Sequence, residues 1–142
     1  DVTVNGETEV VSVTIAAELA TQTPEKTATE VATEIQTAVQ AEVDKETGSA
    51  VPAITWDGTQ SNEGRISNAA AIKTAIDTAV TDSGKLADGF TASKATDATF
   101  TITSEPTASA TGTATITLTI TKTADSTTGT VTISLTIPVT TA

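Results

Sequence analysis

Between residues 113 and 137 the chain alternates with a period of two. Ala114, Ile116, Leu118 and Ile120 form one run, and Val131, Ile133, Leu135 and Ile137 form another, with Thr or Ser at each intervening position within the runs. That period belongs to a strand with one buried face. The polar stretch from Ala124 to Gly129 between the runs predicts the turn of an antiparallel hairpin. The hairpin has an aliphatic face that needs a cover and a hydroxyl face that does not.

The cover is predicted by two segments with helical periodicity. In the first, Ala28, Val31, Ile35, Ala38, Val39 and Val43 share a face, while Glu30, Glu34, Gln36 and Gln40 lie mostly off it. Thr23 as N-cap, Pro24 at the first helical position and Glu25 at the positive end of the dipole predict its start, and Gly48 its stop. In the second, Ser67 or Asn68 caps a helix that buries Ala69, Ile72, Ala75, Ile76, Ala79 and Val80, and Asp82-Ser83-Gly84 ends it. Both read as helices packed on a sheet, because an acidic polar face does not suit a membrane surface.

The remaining short elements read as strands. Val2 and Val4, the Asn5-Gly6 turn signal and Val11, Val13 and Ile15 predict an N-terminal hairpin, with a loop from Asn5 to Thr8 that sets Val2 opposite Val11. Val51 to Trp56 reads as a short strand that Pro52 confines to an edge or a strand start. A polar loop follows from Asp57 to Arg65. Phe90 and Ala92, then Ala98, Phe100 and Ile102, lead to the hairpin, with Pro106 and Gly112 bracketing a loop. The expected fold is α+β: a mainly antiparallel sheet, either single or a two-sheet sandwich, with two amphipathic helices packed on it and a β-rich C-terminal half.

Composition changes this picture in three ways. First, Trp56, Phe90 and Phe100 are the only aromatic residues among 142, so the core is aliphatic, and a single domain over 1–142 is the expected size. Second, the net charge of −11, with no His, argues against nucleic acid and anionic membranes as partners, since both are held by positive charge. No apolar run long enough to span a bilayer occurs. Third, Thr makes up about a quarter of the residues. Such a polar, Thr-rich strand surface suits an extracellular protein, and a chain that begins at Asp1 and contains no Met reads as a processed, secreted product or an excised domain.

Candidate chemistry is sparse. Without His or Cys, nucleophilic and acid–base sites must be built from carboxylates, Ser and Lys, and the acidic residues stand singly on helix faces and in turns. No enzyme and no resident cofactor are expected. One loop offers oxygen ligands for Ca²⁺, Asp57, Asn62 and Glu63, though not at the spacing of a helix-loop-helix calcium site. The Thr ladder of residues 115–121 and 132–136 reads as strand propensity and solubility rather than as an ice-binding array, which repeats such pairs over many stacked strands.

The helices also share Thr-x-Ile-x-Thr-Ala-Val, at Thr33 to Val39 and Thr74 to Val80, which raises an internal duplication of 1–56 and 66–104 followed by the C-terminal hairpin 113–138. The sequence Val2-Thr3-Val4-Asn5-Gly6, an Ala-rich helix ending in Thr-Ala-Val, then Phe90-Thr91-Ala92 and Ala98-Thr99-Phe100-Thr101-Ile102-Thr103 resembles the hairpin-helix modules of flagellin-like, hook-associated and phage-tail-type proteins, and the β modules of prokaryotic surface-layer and filament subunits. The Ala-Ile-Asn usual at the helix end of those modules is Ala38-Val39-Gln40 and Ala79-Val80-Thr81 here. The resemblance implies a self-assembling structural subunit of an extracellular filament, surface layer or virion appendage. Its partner would be further copies of the same chain. Terminal strands suit exchange between copies, which makes Val2, Val4, Val131, Ile133, Leu135 and Ile137 the assembly candidates. The alternative is an extracellular adhesin or carbohydrate-binding module with a glycan partner.

Overall fold

A computed structural model describes residues 25–141. Within them the elements run α1 (Ala28–Val43), α2 (Ala69–Asp82), β1 (Phe90–Ala92), β2 (Thr101–Ser104), β3 (Gly112–Lys122) and β4 (Thr128–Ile137), with short 3₁₀ turns at Asn62–Arg65 and Ala95–Asp97. The expected N-terminal hairpin, Val2 and Val4 included, lies outside the described residues.

The hairpin forms as the alternation requires. β3 and β4 pair antiparallel from Gly112↔Ile137 to Thr121↔Thr128, closed by a turn in which Ser126 takes positive φ. Because β4 occupies one side of β3 along this register, β1 and β2 share the other side, pairing with the two ends of β3 at Ile120–Lys122 and Thr113–Thr115. The four strands therefore make three lanes, one of them interrupted by the 3₁₀ turn at Ala95–Asp97. All pairings are antiparallel and the helices precede the sheet in the chain, so the fold is α+β with its strands in the C-terminal half. The described strands form one sheet rather than a sandwich.

Ala114, Ile116, Leu118, Ile120, Val131, Ile133, Leu135 and Ile137 are all buried, and they join Val31, Ile35 and Val39 of α1 and Ile72, Ile76 and Val80 of α2 in one continuous core. On the reverse side the ladder pairs Thr113 with Thr136, Thr115 with Ser134, Thr117 with Thr132, Thr119 with Thr130 and Thr121 with Thr128, and Thr91 and Thr101 extend two of these rows into the third lane. Each outward position of these rows is Thr or Ser.

Three local expectations change. α1 begins at Ala28 instead of after Thr23, because Thr27 and Glu30 close a reciprocal capping box: the Thr27 hydroxyl accepts from the Glu30 amide, and the Glu30 carboxylate accepts from the Thr27 amide at 2.8 Å. Val51 to Trp56 is not a strand beyond a lone bridge between Trp56 and Ile66. Pro52 offers no amide, and the Asn68 side chain takes up the neighbouring main chain by accepting from the Thr55 amide and donating to the Ala53 carbonyl. Asn68 thus sits at the N-cap position of α2 while its amide serves the preceding segment instead of the helix. Finally, Ala98 and Phe100 precede β2, and an extra residue between Ile102 and Ser104 bulges that strand.

The helix approaches the sheet closely at Gly129, a buried residue of β4. A Cβ there would lie 2.5 Å from the Ala28 carbonyl oxygen and 2.8 Å from the Thr29 Cα, both backbone atoms with no room to yield. Gly129→Ala should therefore force the first turn of α1 away from β4 and destabilise the fold by about 1–3 kcal/mol, the usual range for overpacking. Urea denaturation measures this, and an unchanged midpoint would contradict the close approach.

Candidate assembly edges and surface sites

Sheet edges present unpaired main-chain groups, so their partners decide what the sheet can bind. β4 pairs only with β3 among the described strands. Its other side is met by side chains of α1, which runs along it. The Gln36 carboxamide oxygen accepts from the Thr132 amide at 2.8 Å. Gln40 does more: its oxygen accepts from the Ser134 amide and its nitrogen donates to the Ser134 carbonyl, both at 2.9 Å. A primary amide is the side chain that can imitate a peptide group in this way. The spacing also matches, since four helical residues rise about 6 Å and two strand residues about 6.7 Å.

In the opposite lane, charged groups hold the segment between β1 and β2. The carboxylate of Asp77 on α2 accepts from the Ala95 amide at 2.6 Å and from the amide and hydroxyl of Thr96, anchoring the 3₁₀ turn that interrupts the lane. Just before β2, Glu63 accepts from the Phe100 amide and pairs with Lys73 of α2, Nζ to Oε2 2.7 Å. Lys73 is buried on the apolar face of α2, its ammonium 5.9 Å from the centre of the Phe100 ring. Helical periodicity could not announce Lys73 as a core residue, because its partner lies ten residues earlier in a loop.

The assembly candidates of β4, Val131, Ile133, Leu135 and Ile137, project into the core and are buried, while the main chain at Thr132 and Ser134 faces the two glutamines. Two of the three Ca²⁺ candidates carry protein partners. Asp57 accepts from the amide and hydroxyl of Thr59, Glu63 is held by Lys73 and Phe100, and Asn62 starts the 3₁₀ turn with φ 51°. The Thr59 hydroxyl, then its amide, holds the Asp57 carboxyl below the usual carboxylate range, and Thr127 does the same for Asp125 in the β3–β4 turn. These two Asp-x-Thr turns are local devices. Among the described residues no cluster of three or more His, Cys, Asp or Glu is placed to hold a metal, and no helix is long and apolar enough to cross a membrane.

One open cleft, of about 540 Å³, lies between the Ile54–Gly58 segment and Pro138–Thr141. Trp56 borders it, half-buried, with the Arg65 guanidinium 5.3 Å from its ring centre. Val139, 48% exposed, is the most accessible large apolar side chain among the described residues. Comparison with protein-family models, curated proteins and solved structures returned no match.

The Glu63–Lys73 pair should respond asymmetrically to substitution. Glu63→Gln leaves a buried ammonium without its counter-charge and should cost about 3 kcal/mol, whereas Lys73→Met keeps the apolar stem, leaves Glu63 bonded to the Phe100 amide and should cost clearly less. Chemical denaturation of the two variants checks the order; equal losses would show that the pair acts only as a neutral contact.

Proposed function

We propose that this chain is a structural, self-assembling module of an extracellular filament, surface layer or virion appendage. The observation that carries this reading is that β4 is an edge strand among the described strands, in a sheet whose outward rows are Thr and Ser. Through Ser126 to Ala142 the chain holds no charged residue, although its net charge is −11. Copies that repel elsewhere can approach at the outward hydroxyl face of this hairpin, whose rows carry no charge. Several of the described carboxylates, among them Asp57, Glu63, Asp77 and Asp125, are engaged by neighbouring amides, hydroxyls or an ammonium, and the outward sheet surface is the more extensive and regular feature. The resemblance to filament and surface-layer modules points the same way.

Concentrated wild-type protein should form ordered polymers visible by negative-stain electron microscopy, and deletion of Asp1 to Val4 or of Val139 to Ala142 should abolish them while the protein stays soluble. Protein that remains monomeric up to its solubility limit would overturn self-assembly, and polymers that survive both deletions would overturn exchange of the chain ends.

A second reading, a carbohydrate-binding module, is favoured by the single Trp of the chain standing at the cleft beside Val139. Aromatic rings pack against the apolar faces of sugars, and the neighbouring Thr hydroxyls supply polar contacts. Under this reading the fluorescence of Trp56 should shift saturably on titration with neutral oligosaccharides, and a flat response rejects it.

A further inference from the structure

We propose that the cleft between Ile54–Gly58 and Pro138–Thr141 receives the Pro138–Thr141 segment of a second copy of this chain, Val139 foremost, and that the contact is reciprocal. The inference deepens the self-assembly reading above and rests on it. A lone exposed valine is ordinary on a protein surface. Val139 is set apart by how it is held and by what lies beside it.

Its backbone is anchored on both sides. Ile137 ends the ladder opposite Gly112, and the Thr140 amide donates to the Thr107 carbonyl at 2.9 Å. Between these anchors Pro138 has no amide to give, and Val139 stands 48% exposed. A side chain presented on a held backbone loses little conformational freedom when a partner covers it.

The receiving surface is adjacent. Ile54, Thr55, Trp56 and Gly58 form the other wall of the cleft, and no residue lining either wall is charged. The Arg65 guanidinium over the Trp56 ring is paired with Glu105 at 2.8 Å, so the charge next to the ring is already met. The opening, about 540 Å³, is large enough for a short segment rather than for one side chain. The cleft is open, and Pro138, Val139 and Thr141 are exposed as they stand, so neither half has to be uncovered first.

A protruding segment and a receiving cleft that share one patch suit a two-fold contact, because each copy then offers both halves at once. The uncharged lining favours a second copy as the partner. Two molecules of net charge −11 can meet here without setting like charges against each other in the contact. A contact confined to one cleft and four residues falls short of the roughly 800 Å² per partner of a standard interface, so pairing needs concentrated protein. It also closes on itself, and growth beyond the pair falls to the hydroxyl face.

Trp56, the only tryptophan of the chain, reports on the cleft directly. The test follows light scattering and Trp56 fluorescence over a common concentration range for wild type, Val139→Asp, Thr141→Asp and Val139→Ile, with circular dichroism to verify folding. Wild type should pair, and its Trp56 emission should shift to the blue at the same midpoint. Each aspartate should raise the threshold at least tenfold and remove the shift, whereas Val139→Ile should keep both. The two aspartates stand at separate exposed positions, so one reports where the other folds poorly.

Equal thresholds across the series, pairing without a change in Trp56 emission, or wild type that stays monomeric would overturn the contact. A saturable Trp56 shift with neutral oligosaccharide in protein that does not pair assigns the cleft to a sugar instead. Polymers that form with equal thresholds across the series leave self-assembly standing without this contact. Wild type that pairs as described but never polymerises keeps the contact and removes the filament reading.

Discussion

Among the described residues the sheet is three lanes wide, with two edge lanes for one interior lane, and the need to satisfy those edges shapes the elements packed around it. β3 is the interior strand, with a ladder partner on each side. β4 and the β1–β2 lane each expose one row of main-chain donors and acceptors, and a buried or half-buried row without partners is costly. The chain meets part of this need with borrowed side chains: Gln36 and Gln40 bond outer groups of β4, and Asp77 and Glu63 bond the segment between β1 and β2. Each packing element thus also terminates the sheet.

That double use ties the helices to a particular register. α1 buries Val31, Ile35 and Val39 against β3 and β4, while Gln36 and Gln40, one residue along from Ile35 and Val39, turn toward the strand edge. Its start is set by the approach of Ala28 to Gly129, where only a hydrogen fits. A slip of one residue along β4 would misplace the glycine, invert the buried set and unpair the glutamines together. α2 is pinned in the same way by the Lys73–Glu63 pair and by Asp77.

Threonine serves three physical roles. In β3 and β4 it fills the outward positions, where a β-branched side chain favours extended backbone. In the helices its hydroxyl bonds back to the carbonyl four residues earlier, as at Thr33, Thr37, Thr74 and Thr78, which removes its demand for water or a partner. In the turns at Asp57-Gly58-Thr59 and Asp125-Ser126-Thr127 it closes a loop on an aspartate. The first role leaves a continuous uncharged hydroxyl face on an acidic molecule, and the proposed self-assembly rests on that face.

Much of the architecture was legible from residues alone. The two-residue period of β3 and β4 and the helical period of α1 and α2 are local signals that repeat over ten or more residues, and the buried faces follow from them. The capping box of Thr27 and Glu30 was equally local, but Pro24 offered a competing start, and only the packed helix shows which cap is used. By itself the sequence determined the hairpin, the two helices, the aliphatic core and the uncharged hydroxyl face. The tertiary structure decided that Val51 to Trp56 is no strand, that β1 and β2 share one lane, that Lys73 is buried and that two glutamines close the edge of β4. Each of those outcomes depends on a partner far away in the chain, up to 96 residues for Gln36 and Thr132. Periodicity records which face of an element is covered, but not which distant group meets its backbone.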